Sequence, residues 1–91
     1  MSDIILRPEV YGFAKTMEEQ LRANENKGGW SNCTNQFLSR QLDKNIAKLY
    51  KCTSHEEFRR RCANIANFAM MLADNDMREE NETWGKIPDG S

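Results

Sequence analysis

The segment that decides the fold is Arg61-Cys62-Ala63-Asn64-Ile65-Ala66-Asn67-Phe68-Ala69-Met70-Met71-Leu72-Ala73-Asp74. It holds neither glycine nor proline, and it is rich in alanine and methionine, which cost little in a helix. Just upstream, Ser54-His55-Glu56-Glu57 has the form of a capping box, in which a serine oxygen and a glutamate side chain satisfy free backbone donors at a helix start. The expected helix opens there and ends at Asp74 or one turn beyond. Phe58, Cys62, Ile65, Ala69 and Leu72 recur at helical spacing as an apolar stripe. Ala63, Ala66 and Ala73 leave room for another helix to come close.

Two further helices are expected on the amino-terminal side. From about Thr34, Leu38, Leu42, Ile46 and Leu49 form a second apolar stripe. Arg40, Lys44, Lys48 and Lys51 advance by four, four and three residues and so share another face, where like charges repel at about 0.2–0.5 kcal/mol per pair. A bound anion would relieve that repulsion. The first helix begins near Pro8, a residue suited to the first helical position, carries Val10, Ala14, Met17 and Leu21 toward the core, and ends near Asn26. Lys27-Gly28-Gly29-Trp30-Ser31-Asn32 reads as a loop, because paired glycines favour irregular backbone. The fold class is therefore all-α, a small bundle of three main helices. Residues 1–75 form the helical domain. Residues 76–91 form an acidic, turn-rich tail with Trp84 and Ile87 as its possible anchors and disorder expected at the very end.

At 91 residues the chain is one small domain, and a monomer of that size buries only about 60–65% of its unfolded surface. A hydrophobic content of 38% and a mean hydropathy of -0.83 lean toward help from oligomerisation. The net charge of -1 conceals an asymmetry: residues 1–26 carry -2, residues 27–61 carry +5 and residues 62–91 carry -4. The middle third is the anion-binding candidate. A pI near 5.8 and so confined a basic region suit a few phosphates better than a nucleic-acid polymer. Cys33, Cys52 and Cys62 lack paired spacing and stand with one histidine, His55, so a zinc site is not expected and free thiols in a reducing cytoplasm are. The amino terminus is too short in apolar residues for a signal peptide, and no stretch approaches the length needed to span a bilayer.

The Ala-rich segment resembles the catalytic helix of the all-α MazG-type nucleoside triphosphate pyrophosphohydrolases. There the resemblance implies a Glu and, three residues on, an Asp that hold magnesium; the matching positions here are Arg61 and Asn64. That family's other three carboxylates fall on Lys44, Asn45 and Lys48. Magnesium requires hard anionic oxygens, which these side chains do not offer. The run Ala66 to Asp74, together with Met17-Glu18-Glu19, Asn24 and Lys27-Gly28-Gly29-Trp30, is similar to the phage anti-CBASS protein 2 family over roughly residues 8–75. The resemblance implies a non-enzymatic sponge of phage immune evasion. It would be a homo-hexamer in the cytoplasm of an infected bacterium that sequesters cyclic GMP-AMP, other cyclic dinucleotides and, at separate sites, cyclic trinucleotides, without metal, cofactor, membrane, DNA or RNA.

For cyclic dinucleotides the same resemblance places a base-stacking tyrosine at Tyr11 and a phosphate-binding lysine at Lys27, beside Gly28, where a backbone without Cβ admits a close phosphodiester. Trp30 either packs under the loop or lines the pocket. Arg61 and Asn64, three apart on one face, are suited to hold one anion together, with Arg60 next to them, as a second site made symmetric by oligomerisation. By base rate the arginine run is a solvated helix face, and Lys44 and Lys48 are either ligand contacts or surface charge. Phe68, Met70 and Met71 read as core or subunit interface. The alternative reading is an active pyrophosphohydrolase. Against it, Glu56 and Asp74 stand eighteen residues apart on one helix, about 27 Å by helical rise. A third reading is a protein-binding adaptor that uses the acidic tail.

Overall fold

The computed structural model describes residues 3–25 and 28–84, the last four of them by backbone alone. Three helices account for most of these residues: α1 (Pro8–Ala23), α2 (Asn35–Leu49) and α3 (His55–Trp84). There is no strand among the described residues. The chemistry of the termini explains the boundaries. Pro8 occupies the first turn of α1 and Glu9 sits by its positive end. Thr34 Oγ1 accepts from the Phe37 amide at 3.1 Å, capping α2. Ser54 Oγ accepts from the Glu57 amide at 3.1 Å, capping α3.

Helix α3 is the long element against which both others pack, while α1 and α2 do not touch each other. A cleft therefore opens between α1 and α2 with α3 as its floor. The fully covered core is small: among the described residues the buried hydrophobic side chains are Leu38, 1% exposed, and Ala63, 0% exposed. Leu38 starts the α2 stripe, and Leu42, Ile46 and Leu49 follow it half-buried.

Three expectations need correction. Val10 and Ala14 do not face a core: Val10 is 48% exposed and Ala14 is exposed, since α1 gains partial cover only from Thr16 onward. Among the described residues nothing covers the amino-terminal half of α1. On α3, Phe58 and Ala69 of the expected stripe are exposed, and the buried positions are Ala63 and Asn67. That helix serves two neighbours in different directions, so its contact arc is wider than a single stripe, and a polar residue that bonds backbone can take a covered place. Finally, α3 does not stop near Asp74 but runs through the boundary drawn after residue 75 to Trp84. Residues 75–84 contain neither glycine nor proline, and Arg78 pairs with Asp74 one turn back at 2.5 Å. Ile87, Pro88 and the rest of the expected tail beyond Trp84 lie outside the described residues.

Candidate functional site

A cavity of about 880 Å³ occupies the cleft. Its α2 wall presents Asn45 and Lys48, and its floor on α3 presents Arg61, Asn64, Asn67 and Phe68. The residues of α3 that reach it fall within one arc, because positions 61, 64, 68 and 71 return to the same side every three or four residues. Asn67 stands at the edge of that arc nearest α1 and donates from Nδ2 to Met17 O at 3.0 Å. This bond ties α1 to the floor.

Four of the five positions at which the pyrophosphohydrolase resemblance expects carboxylates come together here: Asn45, Lys48, Arg61 and Asn64. Lys44, the fifth, is exposed and does not line the cavity. Two cations and two amides make a poor cage for magnesium and a suitable one for an anion, and of the two carboxylates that also line the cavity, Glu18 and Glu25, the first is paired with Arg22 at 2.9 Å. The residues present do not fit the metal. Among the described residues no three His, Cys, Asp or Glu side chains gather into a metal-holding group.

Asn45 is 7% exposed and bonded at both amide atoms: its Nδ2 donates to Gln41 O at 2.8 Å, and its Oδ1 accepts from Arg61 Nη1 at 3.1 Å. It thereby fixes the guanidinium in the cavity. Arg61 Nε is buried without a hydrogen-bond partner among the described residues, and so is the Oδ1 of Asn67, a residue 3% exposed. Each such group costs about 1–3 kcal/mol when left unpaired. A ligand or water that supplies a partner recovers that cost.

The loop before α2 forms the far end of the cavity. Gly28, at φ +91°, lines it; no side chain would collide there, so glycine is required by the left-handed backbone rather than by space. Of the two places left open to Trp30 by its sequence context, the cavity lining is the one it takes. Its residue lines the cavity, and its Nε1 donates to Asp74 Oδ2 at 2.9 Å. Hydrogen bonds from Trp30 and then Arg78 hold the Asp74 carboxyl below the usual carboxylate range, against the opposing effect of desolvation. Because the folded value lies below the unfolded one, the stabilisation is complete above the unfolded pKa and is lost as the pH falls through the lower folded value. In a Trp84→Phe background, Trp30 emission is expected to stay native down to about pH 4, the ordinary aspartate pKa, and to change only below it. A transition centred above that value would contradict the assignment.

The structure thus brings Gly28, Trp30, Arg61 and Asn64 into one cavity and leaves two expected site residues outside it. Tyr11 is 59% exposed on the amino-terminal half of α1, with Lys15 Nζ 5.8 Å from its ring centroid. Arg60 is exposed and points away from the lining, one helical step of about 100° from Arg61. Lys27 lies outside the described residues. Phe68 and Met71, expected in core or interface, line the cavity. Asn67 was not singled out as a site residue, yet a signal existed. It stands one turn after Ala63, as Asn45 stands two turns after Leu38, so each places an amide where the helix turns inward. The three cysteines are free, and desolvation followed by Glu57 raises the Cys52 thiol above its ordinary pKa. Comparison with protein-family models, with curated proteins and with solved structures gives no match.

Proposed function

We propose that this chain binds and holds cyclic oligonucleotide second messengers, such as cyclic GMP-AMP, without cleaving them, and so withholds them from the effectors of a bacterial antiphage response. One observation carries the reading: Lys48, Arg61 and the two amides of Asn45 and Asn64 line one cleft at positions where the resembling enzymes need carboxylates. A cavity of about 880 Å³ lies within the range of small-molecule sites. Lys48 and Arg61 supply charge for a phosphodiester, Asn45 orients Arg61, and Asn64 adds an amide beside it.

Assembly belongs to the same proposal. With so small a core, and with Leu6, Val10 and Phe13 exposed at the start of α1, the isolated chain leaves apolar surface that copies of itself would cover. We place Tyr11 and Lys27 in a second type of site, completed where copies of the chain meet in a homo-hexamer. Arg60, exposed beside Arg61, is available to a neighbour's ligand in such a ring.

The test separates holding from cutting. Purified protein is incubated with cyclic GMP-AMP, filtered, heat-denatured, and the released nucleotide analysed, with magnesium and with chelator. The expected result is intact nucleotide at equal yield in both. Linear product, or retention that requires magnesium, would favour the pyrophosphohydrolase reading, and no retention at all would remove the nucleotide reading.

A further inference from the structure

The loop leading into α2 is fastened to α3 across more than forty residues of sequence. Beyond the bond from Trp30 Nε1 to Asp74, Asn75 Nδ2 donates to Trp30 O at 3.0 Å and to Cys33 O at 3.4 Å. Arg78 then donates to both anchors, to Asp74 Oδ2 at 2.5 Å and to Asn75 Oδ1. Closing a loop needs backbone bonds only. Here the indole edge is fixed as well, by a carboxylate that is itself braced by a guanidinium. Such an arrangement specifies the orientation of the ring as well as the path of the chain.

The position of this ring in the cavity is informative. Its anchor, Asp74, follows Met71 by less than one turn of α3, whereas Arg61 lies toward the start of that helix. Arg61 and Phe68 are seven residues apart, nearly on one face and separated by about 10 Å of helical rise. The cavity thus offers cations in Lys48 and Arg61 and aromatic rings in Phe68 and Trp30, as a nucleotide has an anionic part and a flat apolar one. The Glu18 and Glu25 carboxylates line it as well, Glu18 paired with Arg22 at 2.9 Å.

We propose that Trp30 is the nucleobase platform of this cavity: its indole takes a base ring whose phosphate lies on Lys48 and Arg61, and Asp74, Asn75 and Arg78 are positioning residues that set the indole. The inference rests on the nucleotide-binding reading of the same cavity and adds the subsite and its ligand chemistry. Stacking on aromatic side chains accepts any base, so the subsite contributes affinity more than base choice.

The experiment uses the full chain carrying Trp84→Phe, which leaves Trp30 as the sole tryptophan. Cyclic GMP-AMP is expected to quench its emission saturably, and inorganic phosphate to leave it unchanged. By calorimetry, Trp30→Ala is expected to weaken cyclic GMP-AMP about tenfold or more, the size of one base stack, with helicity retained. Asp74→Ala is expected to weaken binding in the parent and to add nothing once Trp30 is gone. The last comparison distinguishes positioning of the indole from general support of the fold, and the quench itself needs no change at Trp30. Unquenched emission at saturating nucleotide, unaltered affinity in Trp30→Ala, or an equal Asp74→Ala effect in both backgrounds would overturn the subsite while leaving the nucleotide reading in place. A parent protein that holds no cyclic GMP-AMP would remove both.

Discussion

Arg61→Glu is expected to reduce retention of cyclic nucleotide by two orders of magnitude or more, the largest binding effect of any single change in this chain. The substitution removes a guanidinium that Asn45 holds in the cavity at 3.1 Å and puts a carboxylate in a lining that also holds Lys48, where it would compete for that cation and repel phosphate. Losing a charge-assisted hydrogen bond costs about 1.5–3 kcal/mol, and adding a like charge next to the anion increases that cost. Arg61→Gln separates charge from shape, since it keeps a donor within reach of Asn45; an intermediate loss is expected. Filtration with cyclic di- and trinucleotides measures the effect, and light scattering on the same samples reads the assembly. The expected mass is a multiple of three chains in both variant and parent. Unchanged retention of both ligands by a folded Arg61→Glu protein would sink the cavity reading, and a monomer or dimer mass in the parent would sink the site proposed at Tyr11 and Lys27 where copies of the chain meet.

Leu38→Ala is expected to be the most damaging change to stability. Leu38 is the large side chain of the covered core, 1% exposed on α2 at the wall of the cleft, so its removal leaves a void that few neighbours can fill. Buried Leu→Ala substitutions cost about 2–5 kcal/mol, and natural domains have only about 5–15 kcal/mol in total. The midpoint of urea unfolding, followed by helical circular dichroism, is expected to fall steeply. The control is Val10→Ala: Val10 is half exposed on the uncovered part of α1, and its loss is expected to leave the midpoint of an isolated chain nearly unmoved. An equal fall in both variants at low protein concentration would mean that α1 is covered far better than the structure has it.

The sequence by itself determined the helices, because their signals are local. Pro8, Thr34 and Ser54 mark the starts through backbone donors that the nearest residues must satisfy, and the Gly28 and Gly29 pair marks the break between α1 and α2. Periodicity also identified Leu38 as inward-facing. It failed at the end of α3, where the acidic composition after Asp74 suggested a tail; Arg78 reaches back to Asp74 and Asn75, and α3 continues to Trp84. It failed too for the first half of α1, since amphipathic spacing says which face seeks cover and not whether a partner is present.

The grouping of site residues was decided by tertiary structure alone. Lys48 and Lys44 are equivalent by composition and charge and stand one turn apart on a shared face, yet Lys48 lines the cavity and Lys44 does not. Arg60 and Arg61 are adjacent, and a 100° step separates a surface charge from one held by Asn45. Trp30 and Asp74 are 44 residues apart, and no spacing rule joins them. Such contacts depend on how α1 and α2 stand apart across α3, and that separation is a property of packed helices, absent from any local window of the chain.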